Sequence, residues 1–151
     1  MSHLQYFAYE KFGVRQREVA GYSQAVRVGD RIEVAGQGGW DPDTGVFEKE
    51  INAQIDLAFC NVDRALRDAG GKGWDQVYRI NSYHLPLNRE AEEAMVRNFK
   101  KWMPNHQPLW TCVGVARLAE DDMRVEIEVS AHDPAGAAAA RGRATDQQAS
   151  R

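Results

Sequence analysis

"MRVEIEVSAH", residues 123–132, alternates over its whole length: Val125, Ile127, Val129 and Ala131 fall on one side, and Arg124, Glu126, Glu128, Ser130 and His132 on the other. A period of two belongs to a β-strand, and the clean division into apolar and polar sides predicts a strand buried on one face only. The acidic turn "AEDD" (119–122) precedes it, and before the turn "LWTCVGVARL" (109–118), opening after Pro108, reads as another strand. Further upstream, "SQAVRVGDRIEVAGQ" (23–37) carries two alternating runs, Val26 and Val28, then Ile32 and Val34, on either side of Gly29-Asp30. That pattern predicts a β-hairpin with a two-residue turn.

Between these strands the period changes to that of a helix. "INAQIDLAFCNVDRALRDAG" (51–70) sets Ile51, Ile55, Phe59, Val62 and Leu66 on one stripe, and Gly70-Gly71 ends it. "DQVYRINSYHL" (75–85) returns to strand, with Val77, Tyr78, Ile80 and Tyr83 as its bulky members. "NREAEEAMVRNFKKWM" (88–103) has Asn88 as N-cap, acids in its first turn, and Lys100 and Lys101 in its last. Its apolar stripe is Ala91, Met95, Phe99 and Trp102, and Pro104 stops it. With a short strand over 4–9 ahead of the hairpin, the order predicts an α+β domain: a mixed sheet with two helices on one face. Two helices cover one side of such a sheet, so association with copies of the chain is expected to cover the other.

The sequence of 151 residues suits one domain, placed here at 1–133. After Asp133 the composition changes to "PAGAAAARGRATDQQASR" (134–151), with almost nothing bulky to dock, and a disordered tail is expected, a short Ala-rich helical turn being the other reading. A formal net charge of -3, with Lys and Arg scattered along the chain, gives no general attraction to phosphate backbones, so no nucleic-acid partner is expected. Cys60 and Cys112 each lie in an apolar run, which suits buried, reduced thiols. No run approaches the ~18 apolar residues of a membrane span, and the start "MSHLQYFAYEKF" has no signal-peptide pattern. A soluble, cytoplasmic protein without a membrane partner is expected. His84, His106 and His132 fall in separate segments without metal-ligand spacing, so no metal site is inferred.

"YSQAV" (22–26), "GQ" (36–37) followed by "DPDTG" (41–45), and "VARL" (115–118) followed by "VEIE" (125–128) together resemble the Rid/YjgF family of reactive-intermediate deaminases, also called L-PSP endoribonuclease-like. The resemblance runs in order over about residues 15–132. It implies a chorismate-mutase-like α+β fold and a homotrimer with a barrel-like core, with a small-molecule ligand in each of three inter-subunit clefts. It also implies hydrolysis of 2-imino or 2-enamine acids to 2-oxo acids and ammonia, with neither metal nor organic cofactor.

The same resemblance places Tyr22 and Glu126 as the catalytic pair and Gly36, Gln37, Thr111 and Cys112 along the cleft. Aligning Pro108, Thr111, Cys112 and "VARL" puts Trp110 where the family carries the arginine that holds the substrate carboxylate. A guanidinium does that with two parallel charge-assisted hydrogen bonds, and an indole has a single neutral donor. The substrate expected here is therefore aromatic, or less dependent on a carboxylate. Trp40, in "GGWDP", is the second departure: the two tryptophans either meet as aromatic walls of one cleft or fill space left by the missing guanidinium. Glu126 is expected to activate water as a general base, or else to pair with a cation across the subunit contact. Cys112 has no adjacent histidine to activate it and reads as structural. Three functional classes follow: a cofactor-free Rid-type hydrolase, a trimeric ligand-binding or protein-protecting module without turnover, and an endoribonuclease, against which the acidic balance argues.

Overall fold

The computed structural model describes residues 1–149. Six strands, β1 (Gln5–Phe7), β2 (Ala25–Val28), β3 (Arg31–Gln37), β4 (Val77–His84), β5 (Leu109–Gly114) and β6 (Val125–His132), form one sheet of order β1-β2-β3-β6-β4-β5. The alternating stretch is thus an interior strand, antiparallel to both neighbours. Its apolar side is the core: Val125, Ile127, Val129 and Ala131 are all buried, each large aliphatic contributing about 2 kcal/mol on leaving water. Helices α2 (Ile51–Asp68) and α3 (Arg89–Trp102) lie on that side, α2 against β3 and β6, and α3 against α2.

Both helices follow their stripes. Ile55, Phe59, Val62 and Leu66 are fully buried under α2, and Ala91 and Met95 under α3. Asn88 caps α3 as expected, its side chain accepting from the Ala91 N–H at 2.9 Å. At the start of α2 the cap is Glu50, whose carboxylate accepts from the N–H groups of Asn52 and Ala53, two of the donors that every helix N-terminus leaves without an intrahelical partner. In the β2–β3 hairpin, Gly29 takes the first turn position at φ 59°, where any other residue would be strained.

Four features depart from the sequence expectations. Helix α1 (Phe12–Ala20) has no counterpart among them, because its "FGVRQREVA" has no apolar stripe; only Phe12 and Gly13 are buried. In β2, Ala25 and Arg27 face the helices while Val26 and Val28 lie on the open side, since the register pairs Val26 with Glu33 and Val28 with Arg31. β5 ends at Gly114 rather than 118 and runs parallel to β4 at the sheet edge, so the acidic turn joins strands on opposite sides of β4 and makes no hairpin. The fourth is the tail, where Pro134–Ala149 forms helix α4 instead of a disordered segment. Its first turn is fastened by Asp133, which accepts from the Gly136 N–H and pairs with the buried Arg27 at 2.9 Å, and Ala137 is buried behind it. Residues 150–151 of the expected tail lie outside the described residues.

The cysteines are free thiols, but neither is buried: Cys60 is exposed on α2 and Cys112 is half-buried on β5. No helix among the described residues is long and apolar enough to cross a membrane. Nor do the described residues contain a group of three or more His, Cys, Asp or Glu placed to hold a metal ion.

Candidate functional site

The polar side of β6 carries Glu126 onto the open face of the sheet, beside the end of β3, where the β3–β6 register shifts between Val34 and Gln37. That irregularity brings Gly36 under the Glu126 side chain, and a Cβ at position 36 would overlap the carboxylate. Glycine is therefore what lets an acid lie flat against the strand. Burial pushes the Glu126 carboxyl above its ordinary range, and the charge of Glu128, two residues on, pushes the same way. A carboxyl raised in this way is a stronger proton acceptor than an exposed one, which suits it to take a proton and return it.

Around it lies a cavity of about 630 Å³ lined by Tyr22, Gly36, Trp40, Phe47, Met123 and Glu126, among others. Tyr22 is 39 % exposed; burial raises its phenol, and the neighbouring Glu126 and Glu120 charges raise it further, so it stays protonated and can donate. The far wall is aromatic: Phe12 and Trp40 stack at 4.4 Å, and Phe47 meets the Trp40 ring edge-on at 5.9 Å.

Beneath the cavity runs a buried hydrogen-bond chain. The Trp40 indole donates to Tyr9 Oη at 3.0 Å, Tyr9 donates to Gln37 Oε1 at 2.9 Å, and Gln37 donates in turn to Gln24 Oε1 and the Ala35 carbonyl. Gln37 is fully buried and lines no part of the cavity; it supports the floor. Trp40 presents a ring to the cavity from a position only 4 % exposed, so it is a wall and a core residue at once. Asn61, on the buried side of α2, donates to the Gly38 and Trp40 carbonyls at 2.8 Å and fixes the "GGW" loop. A polar residue on the apolar stripe of α2 was the only sequence signal for it. Arg15 and Phe12, on the unforeseen α1, also line the cavity.

The remaining sequence candidates stand elsewhere. Trp110, Thr111 and Cys112 sit on β5, at the edge beyond β4, and Trp110 lies beside a separate apolar hollow of about 340 Å³ with Phe99, Met103, Pro104, His106 and Pro108. Its indole N–H donates to Ser82 Oγ at 2.9 Å, and Phe99 meets its ring edge-on at 4.9 Å. The expected meeting of Trp40 and Trp110 in one cleft does not occur within a single chain, because two strands, β6 and β4, separate the strand of Trp110 from β3.

A family model described as endoribonuclease L-PSP matches residues 14–133. The chain belongs to that family. The RutC family protein YjgH of Escherichia coli K12 is 33% identical over 106 residues, 70% of this chain and 79% of that protein. A solved structure of protein YJGH superposes with a TM-score of 0.73 at 30% identity, covering 85% of this chain and 95% of that one. The structure of E. coli TdcF with bound serine matches at a TM-score of 0.66 and 28% identity, over 74% of this chain and 87% of that one. The L-PSP family is the Rid/YjgF family of the sequence resemblance, and the mixed α+β sheet described above is its fold. A Rid-like function is thereby supported for this chain.

Proposed function

We propose that this L-PSP-family protein is a homotrimeric, cofactor-free hydrolase that converts an imine, or the imine tautomer of an enamine, into a carbonyl compound and ammonia. The observation that carries the reading is Glu126: a half-buried carboxyl with a raised pKa, laid over Gly36 and facing the same cavity as Tyr22. In the reaction, Glu126 takes a proton from water as the water oxygen attacks the C=N carbon. That proton passes to the nitrogen, giving a carbinolamine. Glu126 then takes the carbinolamine hydroxyl proton as the C=O bond forms and passes it to the nitrogen as the C–N bond breaks, releasing ammonia. Tyr22 donates a hydrogen bond to the developing oxygen or to the departing nitrogen.

Phe12, Trp40, Phe47 and Met123 favour a substrate with an aromatic or apolar body. With Trp110 turned toward Phe99 and Ser82, no guanidinium is offered from position 110. In the trimer, β5 of a neighbouring subunit brings Thr111 and Cys112 to the cleft, where they complete the ligand contacts. Free thiols at Cys60 and Cys112 suit a reducing compartment such as the cytoplasm.

An endoribonuclease reading has little to support it, since Glu33, Glu126 and Glu128 crowd the open face and would repel a phosphate backbone. A binding module without turnover draws its support from Trp110, and one assay separates it from the hydrolase. With phenylalanine and an amino-acid oxidase generating the imine, the protein is expected to speed imine loss over buffer, and Glu126→Gln to lower the rate by about 100-fold or more. No acceleration by the wild type refutes the hydrolase.

A further inference from the structure

The cavity of Tyr22 and Glu126 has a second charged wall that the proposed hydrolysis leaves unused. Arg15 projects from α1 into its lining. One of its N–H groups donates to the Thr44 carbonyl at 3.2 Å, and its guanidinium carbon sits 5.6 Å from the centre of the Phe12 ring. Gly45 makes the room: at φ 81°, it would, with a Cβ, press to 2.5 Å from Arg15 Nη2 and 3.2 Å from the Phe12 ring. A guanidinium has five donors in a fixed fork, and only one is given to the backbone.

No carboxylate among the described residues forms an ion pair with Arg15, and none of the cations pairs with Glu126. The cavity therefore holds one cation, Arg15, and two acids, Glu120 and Glu126, with no ion pair between them. Arg15 and Glu126 are each seated over a glycine, Gly45 and Gly36. That polarity fits a ligand with an anionic group at one end and a reactive carbon at the other, with an apolar body lying along Trp40 and Phe47. Arg79 offers less, because it lines the neighbouring depression of the open sheet face, where Glu33 and Glu128 stand with it.

We propose that Arg15 is the carboxylate anchor of this cavity, the charged fork having moved to α1 in a chain that carries tryptophan at position 110. The site then takes 2-imino and 2-oxo acids with aromatic side chains, the acid group on Arg15 and the C2 atom before Glu126. Binding by Arg15 stands independently of turnover; only the fate of the bound imine rests on the hydrolase reading above.

Calorimetric titration of the full chain separates the two. Phenylpyruvate is the anionic probe, and phenylacetone, the same body with methyl in place of carboxylate, the neutral one. Arg15→Gln is expected to weaken phenylpyruvate binding by roughly 10- to 100-fold, the range for a charge-assisted contact, and to leave phenylacetone unchanged. Arg15→Lys, which keeps the charge without the fork, should fall between. Arg15 is exposed, so melting temperature should hold in both variants. Equal phenylpyruvate binding by wild type and Arg15→Gln overturns the anchor, as does a wild type that prefers the neutral ketone or takes no phenylpyruvate, or a loss seen in Arg79→Gln instead. Arg15-dependent binding without imine hydrolysis would overturn the hydrolase and keep the anchor. Hydrolysis abolished in Glu126→Gln but with KM unmoved in Arg15→Gln would do the reverse.

Discussion

His84 is wholly buried at the end of β4, and burial pushes its imidazole down to about 4. Its Nε2 lies 2.8 Å from Ser82 Oγ, the same oxygen that accepts from the Trp110 indole, while its Nδ1 has no hydrogen-bond partner among the described residues. A second proton would thus place a charge in the core with nothing to pair it. Unfolded, the residue titrates at its ordinary 6.5. Between 6.5 and about 4 the unfolded chain binds the extra proton and the folded chain does not, so stability falls as the pH falls through that window. The loss reaches at most about 3 kcal/mol. Glu126 acts in the opposite sense, because its raised carboxyl accepts a proton in the folded state before it would in the unfolded one. Thermal unfolding of wild type and His84→Gln between pH 7.5 and 4 checks this: the wild type should lose stability on acidification more steeply than the variant. Parallel profiles would show that His84 does not set the slope.

At the level of elements, α4 depends on a single buried carboxylate. Burial alone would raise Asp133, but hydrogen bonds from Arg27, Gln76 and the Gly136 N–H outweigh it and hold the carboxyl low. Removing one partner of a buried pair strands the other, which costs about 3–5 kcal/mol. Asp133→Ala should accordingly lower the melting temperature by about 10 °C, since 1 kcal/mol moves a domain of this size by ~2–4 °C. Truncation after Ala137, which keeps the fastened turn and removes mostly exposed helix, should move it by no more than about 2 °C. A large drop on truncation would mean that the outer turns of α4 dock. The same contrast explains what the sequence made legible. β6, α2 and α3 bury continuous stripes, and their period is written in the residues. Among the described side chains α1 buries two residues and α4 one, and both are held by groups far away in sequence, such as Pro42 and Arg27, which no local pattern reveals. Tyr22, Gly36 and Glu126 were singled out through the family resemblance, and they line one cavity in this chain. Arg15 was missed because it sits on α1, and the separation of Trp110 from Trp40 within one chain was not legible because strand order, unlike strand existence, is not local.

The whole molecule leaves one sheet face without a helix. Tyr6, Leu109 and Val113 stand 48 %, 58 % and 42 % exposed there, and Val26 lies half-buried beside them. Some polar groups of the face have already found one another: Tyr83 and Asn81 donate to Glu128, and Ser130 donates to Glu33. An exposed sheet face with apolar patches of this kind is suited to association. The sheet is open, with β1 and β5 at its edges, and the proposed cyclic arrangement of copies would cover the face and bring β5 of one chain toward the Tyr22 cavity of the next. Light scattering should therefore give three times the mass of the single chain at micromolar concentration. Val26→Asp tests the face itself: on a free surface it would change stability by less than about 0.5 kcal/mol, but inside an interface it buries an unpaired charge opposite Glu33 and should dissociate the trimer. If the site is completed across subunits, imine hydrolysis should fall with the trimer fraction as that variant is diluted. A wild-type monomer would refute the trimer, and a trimer unaffected by Val26→Asp would place the association, and with it Thr111 and Cys112, away from the Tyr22–Glu126 cavity.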